Sequence, residues 1–166
     1  MSILCSGCGR GRDAATVASS RSGQVVNAAQ SQPTAPSATA KADCPRTGRW
    51  ALCSVEKRLE QSGFVVSRVE TGPHHRAGFS VVPVTYTLGH AHLEVFLYPD
   101  AAAAAREVAG LDTAMAGPRG SKSQWPTPPT FVRSVNLIAV LLTDSPVQAE
   151  RMSLALTAGA PQPCMP

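Results

Sequence analysis

The chain is poor in charge and in aromatic side chains. Charged residues make up 16% of its 166 residues and aromatic ones 5%, against roughly 25% charge in an average soluble domain. That composition excludes a coiled coil and a highly charged disordered chain. Five cysteines are too few for a disulfide-dense miniprotein. Fourteen Pro and thirteen Gly, without a triplet period, exclude a collagen. Long apolar runs are missing too. The longest, Leu137–Leu142, is six residues, far short of the roughly 20 that span a bilayer, and it reads as a buried strand. No G-x-S-x-G elbow, H-E-x-x-H helix or P-loop occurs, so no catalytic motif identifies a nucleophile, a metalloprotease or a phosphate site.

Charge is unevenly placed. The formal net charge is +4, with five Lys/Arg against two acids in residues 1–46 and ten against nine in 47–166. The second part is therefore nearly neutral. Arg49, Lys57, Arg68, Arg106 and Arg133 are scattered among acids, and Arg119 and Lys122 are only a pair. Nucleic-acid binding needs basic residues clustered on one face, so no nucleic-acid partner is expected.

From Asp13 to Ala42 there is no Leu, Ile, Phe, Tyr or Trp, and seventeen of the thirty residues are Ala, Ser or Thr. Such a segment cannot bury enough surface to offset its ordering entropy and is expected to be a disordered tether. The expected organisation is a low-complexity arm over 1–43, a domain over 44–160 and a Pro-rich tail over 161–166.

At the start, Cys5-Ser6-Gly7-Cys8 resembles the end of a bacterial lipoprotein signal, where two small residues precede the cysteine that receives the lipid. Cys5 stands where Leu is usual, and Leu4 lies one place early. The resemblance implies lipid attachment at Cys8 and a membrane-anchored, periplasmic or otherwise extracytoplasmic location. Met1-Ser2-Ile3-Leu4 is too short for the roughly 7–15-residue apolar part of such a signal, so that part is expected upstream of Met1. The alternative is a cytoplasmic protein with an incidental C-x-x-C, which has no flanking strand and helix to make it a thioredoxin-like site.

Cys44 and Cys53 enclose eight residues, a loop suited to a local disulfide worth roughly 2–3 kcal/mol in the chain-entropy model. A zinc site from Cys8, Cys44 and Cys53 is the rival reading, without a second C-x-x-C at zinc-ligand spacing. Cys164, in the tail, is expected to be unpaired or linked to a partner.

The domain begins with a helix expected over Trp50–Ser62. Thr47 or Ser54 is its N-cap, and Leu52, Val55 and Leu59 form its apolar face. Gly63 supplies a left-handed C′ position with Phe64 folding back behind it. A strand over Phe64–Val69 follows, then strands over Phe79–Leu88 and Ala91–Tyr98 around a Gly89-His90 turn. Pro83 marks an edge or a bulge. Asp100 caps a helix over Ala101–Gly110. Runs at Phe131–Val135 and Leu137–Leu142 lead through Asp144 or Ser145 and Pro146 into a helix ending at Gly159. The offset of 44 residues between Asp100 and Asp144 predicts tandem ββα units preceded by an αβ unit. The fold class expected is α+β, two-layer, with helices on one face of a mainly antiparallel sheet.

The connection 112–130 is long, and long connections are often functional. Its Trp125-Pro126-Thr127-Pro128-Pro129 run offers Trp125, Pro126, Pro128 and Pro129 as a stiff partner-docking segment, unless Trp125 packs over the sheet edge. Among the histidines, His90 and His92 are a weak candidate metal pair, and His74 and His75 decorate a loop. Glu94 beside His92 on the strand is not adopted as an acid/base pair. No cofactor is expected. The reading adopted is a non-catalytic, membrane-tethered envelope protein acting through protein contacts, an accessory subunit of a larger complex such as an electron-transfer or photosynthetic one. The alternatives are a free periplasmic ligand-binding module and a metal-dependent enzyme using the histidines.

Overall fold

Ser54 sets where the first helix begins. Its hydroxyl accepts a hydrogen bond from the Ala51 N–H (2.9 Å) and donates to the Ala51 carbonyl (2.7 Å), so Ala51, not Thr47, is the N-cap and α1 spans Leu52–Gln61. Trp50 lies ahead of the helix. At the other end the Gly63 and Phe64 N–H groups donate to the Glu60 and Leu59 carbonyls. With Gly63 at φ +82°, this is the Schellman closure read from the sequence. The computed structural model describes residues 44–70 and 72–163. The 1–43 arm, with Cys5 and Cys8, lies outside the described residues, as does Cys164.

The remaining elements are β1 (Val66–Val69), β2 (Val84–Leu88), β3 (Ala91–Leu97), α2 (Ala101–Gly110), β4 (Leu111–Asp112), β5 (Gly117–Pro118), β6 (Pro129–Ser134), β7 (Leu137–Leu142) and α3 (Pro146–Thr157). The fold is α+β. Its main sheet has five strands in the order β1-β2-β3-β7-β6, every pair antiparallel, and β4 and β5 form a separate two-stranded ribbon. Asp100 caps α2 by accepting from the Ala103 N–H at 2.7 Å. Ser145 rather than Asp144 caps α3, with Pro146 in the first turn.

In β3 and β7 the side chains alternate between two buried faces. Leu93, Val95, Leu137, Ala139 and Leu141 face α1 and α3, meeting Val55, Leu59, Met152 and Leu156. Phe96, Ile138 and Val140 face the other way, toward Ala104 of α2 and toward Phe79, Leu111, Ala116 and Trp125 from the connections. The helices therefore do not share one face, which corrects the two-layer expectation. Phe96 and Val140 are the physical reason, because central strands apolar on both sides need cover on both sides. For the same reason the two hairpin–helix units are not structural copies: α2 and α3 pack on opposite faces.

Two further boundaries shift. The expected Phe79–Leu88 strand begins only at Val84, because Pro83 cannot donate to a ladder. The residues before it cross the α2 face, where the Phe79 ring stacks on Phe96 at 4.0 Å. The 113–128 stretch is ordered by side-chain pins. Asp112 accepts from the Ala114 and Met115 N–H groups, and Gln124 exchanges hydrogen bonds with both backbone groups of Ala77.

Cys44 and Cys53 form a disulfide with Cα atoms 5.8 Å apart, within the span such bridges require. Neither sulfur is then available to a zinc site. The bridge holds the start of the domain on α1, and the Gly48 N–H donates to the Pro161 carbonyl at 2.9 Å. A two-residue turn, Val135-Asn136, joins β6 to β7 with Val135 at φ +52°, a left-handed conformation that a β-branched residue rarely takes. The buried Asn136 side chain explains how it is held. Its Oδ1 accepts from the Trp50 N–H at 2.7 Å, and its Nδ2 donates to the Trp50 and Tyr98 carbonyls at 3.2 and 3.0 Å.

Candidate functional site

Glu94 sits mid-strand in β3 between Thr85 of β2 and Val140 of β7, its side chain only 5% exposed. A carboxylate placed there must be paired. Arg76, from the loop between β1 and β2, supplies the partner: its Nε donates to both carboxylate oxygens at 3.0 and 2.9 Å, and Nη2 donates to Oε1 as well. His74 adds a ring nitrogen 3.4 Å from Oε1. The carboxylate raises the Arg76 pKa from its ordinary value, mainly through that hydrogen bond, so the guanidinium stays charged.

The same guanidinium lies over the Trp125 ring, 4.6 Å from its centroid, as cation–π attraction favours. Trp125 is buried, and its indole N–H donates to the Ala116 carbonyl at 2.9 Å. The structure thus withdraws Trp125 from the docking segment and uses it as the peg that fastens both long connections to the sheet. Pro126 and Pro128 remain exposed, while Pro129 opens β6 opposite Leu142.

Next to this cluster runs a surface groove of about 470 Å³. Its floor is the cross-strand pair His92 and Leu142. One rim carries Pro126 and Thr127, another His90, and the far rim Thr143–Ser145 with Gln148 at the start of α3. His90 reaches it because Gly89, at φ +66°, makes the tight turn between β2 and β3. Thr143 stiffens the far rim by donating to Gln148 at 2.8 Å and accepting from the Ser145 N–H.

The groove therefore collects His90, His92 and Pro126, three of the residues singled out from the sequence. Asp144 joins them, yet among the described residues no three His, Cys, Asp or Glu side chains converge to hold a metal ion. His74 belongs to the Glu94 cluster instead, and His75 is exposed. The Glu94–Arg76 pair, which sequence reasoning missed, joins residues 18 positions apart. A glutamate alternating with apolar residues in a central strand was the signal for it. The arrangement offers a stiff concave surface with hydrogen-bonding rims. No family model matches the chain, and no curated protein or solved structure matches it either.

Proposed function

We propose that this chain is a non-catalytic extracytoplasmic protein, tethered to a membrane through its N-terminus, whose folded module serves as an accessory subunit by docking a partner protein in the His92–Leu142 groove. The supporting observation is the division of labour on this sheet face. Glu94, Arg76 and Trp125 engage one another inside the fold, whereas Pro126, His90 and His92 present exposed surface around a rigid hollow. Prolines suit such a rim, because their fixed φ removes entropy that docking would otherwise cost. The Cys44–Cys53 disulfide favours an oxidising compartment over the cytosol. Among the described residues no helix is long and apolar enough to cross a membrane, so the anchor in this reading is the lipid on Cys8.

Fractionation of native cells tests it, together with intact-mass measurement of the mature chain. The expected result is a membrane-bound, detergent-extractable protein with an acylated Cys8, released by Cys8→Ala and retained in a larger complex on a native gel. A soluble cytosolic protein with reduced Cys44 and Cys53 would sink the reading.

A further inference from the structure

A small hollow of about 250 Å³ lies beside α1, between Ser54, Lys57, Arg58 and Gln61 on one wall and residues 44, 46, 161 and 162 on the other. Positions 54, 57, 58 and 61 share one face of a helix, so Lys57 and Arg58 flank the line from Ser54 to Gln61. Val55 and Leu59 turn into the core instead.

The two walls are fixed to each other. The Cys44–Cys53 disulfide ties the incoming chain to α1, and the Gly48 N–H donates to the Pro161 carbonyl at 2.9 Å. Ser54 is 3% exposed, and its hydroxyl is engaged with Ala51, so it closes the floor and is no contact for a ligand. The accessible polar groups are those of Arg46, Lys57, Arg58, Gln61 and Gln162.

All the charge in this lining is positive. Arg46, Lys57 and Arg58 contribute it, and no carboxylate lines the hollow. The acids of α1, Glu56 and Glu60, fall on a different side of the helix, and Glu56 accepts from the Tyr86 hydroxyl at 2.9 Å. Lys57 is exposed and makes no hydrogen bond or ion pair among the described residues. Arg58 is half-buried and turned toward the opposite wall, where its Nη2 donates to the Gly159 carbonyl at 3.4 Å. Its Nε and Nη1 have no partner among the described residues. Neighbouring cations repel, and an anion held between them removes that cost.

We infer that this hollow binds the phosphoryl group of a phosphomonoester, with Lys57 and Arg58 as its charge partners and Gln61 and Gln162 as neutral donors at the rim. A planar carboxylate satisfies one cation well. A phosphoryl group presents three terminal oxygens and up to two charges, which suits donors arriving from two walls. The volume holds that group and leaves the ester substituent outside, so a soluble ester and a lipid headgroup share the chemistry required. The inference does not rest on docking in the His92–Leu142 groove, which lies on the sheet face that α1 does not cover.

Amide NMR titration of the full ¹⁵N-labelled chain with glycerol 3-phosphate tests it, with acetate at matched ionic strength as the comparison. The result expected is saturable binding of the phosphate ester alone, with shifts confined to residues 44–48, 54–61 and 159–162. Lys57→Gln should weaken it about fivefold, the scale of one solvent-screened charge contact. Adding Arg58→Gln should bring the loss to about twenty-fivefold. Arg133→Gln, an exposed cation on β6, should change nothing. Flotation with phosphatidylcholine vesicles containing phosphatidic acid, lost in the double variant, assigns the ligand to a lipid; binding of the soluble ester without flotation assigns it to a free ester. A dissociation constant weaker than about 10 mM, equal binding of acetate, unchanged affinity in Lys57→Gln, or an equal loss from Arg133→Gln would each overturn the site.

Discussion

The two faces of the five-stranded sheet are covered in different ways. Against one, α1 and α3 lay regular apolar stripes on Leu93, Val95, Leu137, Ala139 and Leu141. Against the other, one alanine-rich helix and two long connections cover Phe96, Ile138 and Val140, with Glu94 and Tyr98 buried among them. A face closed by helices is filled by regular apolar stripes. A face closed by loops needs polar pins, here Arg76, Gln124 and Glu107, which accepts from Ser80, and it keeps hollows between them. Stability is expected mainly from the first face, and in the proposed reading the second supplies the surface for recognition.

The largest effect expected follows from truncating the helix-covered core. Leu156→Ala should cost about 2–5 kcal/mol in denaturant unfolding, whereas Val108→Ala, half-buried on the other face, should cost under about 1.5 kcal/mol. Equal losses would erase the distinction. Next comes Arg76→Ala, which strands the Glu94 carboxylate. A loss of about 3 kcal/mol is expected, at the lower end for a broken buried pair, because Arg76 remains partly in water. The double replacement Arg76→Met with Glu94→Met should recover most of it, and if it recovers nothing the pair is not the pin. Removing the Cys44–Cys53 bridge, as a double Ser variant, should cost about 2–3 kcal/mol through unfolded-state entropy, read as a lower denaturation midpoint.

The smallest effect concerns pH. Burial raises the pKa of both Tyr86 and Tyr98, aided at Tyr86 by its hydrogen bond to Glu56 and at Tyr98 by the charge of Glu107. Below about pH 10 both phenols are neutral, folded or unfolded. Above it the unfolded chain releases protons that the folded chain retains, so stability should fall as pH rises. Tyr98→Phe removes a buried hydroxyl with no hydrogen-bond partner among the described residues, so it should not lower stability at pH 7 and should make the alkaline decline shallower. An unchanged alkaline profile would contradict the burial assigned to that phenol.

Local signals in the sequence carried much of this architecture. Asp100, Gly63 and the Ser145-Pro146 pair mark helix ends through short-range hydrogen bonds, so they could be read without the fold. The Cys44–Cys53 spacing likewise pointed to the bridge. What escaped depends on distant partners. Alternation along residues 91–98 sets Leu93, Val95 and Leu97 on one apolar face, but nothing in Phe96 and Tyr98 on the opposite face says that α2 covers them. For Trp125 the sequence left open both docking and packing over the sheet edge, and only its hydrogen bond to Ala116 and its contact with Arg76 decide for packing. The groove was legible only in pieces, since His92, Pro126 and Gln148 meet through strand register rather than through spacing.

Site-specific photocrosslinking in native membranes compares the two faces most directly. The reactive group is placed at Thr127 on the groove rim, at Gln148 opposite it, or at Leu154, exposed on α3 outside the groove. A groove that docks a partner yields the same single protein adduct from Thr127 and Gln148 and none from Leu154. An adduct from Leu154 alone would move the interface to α3 and contradict the assignment of recognition to the loop-covered face.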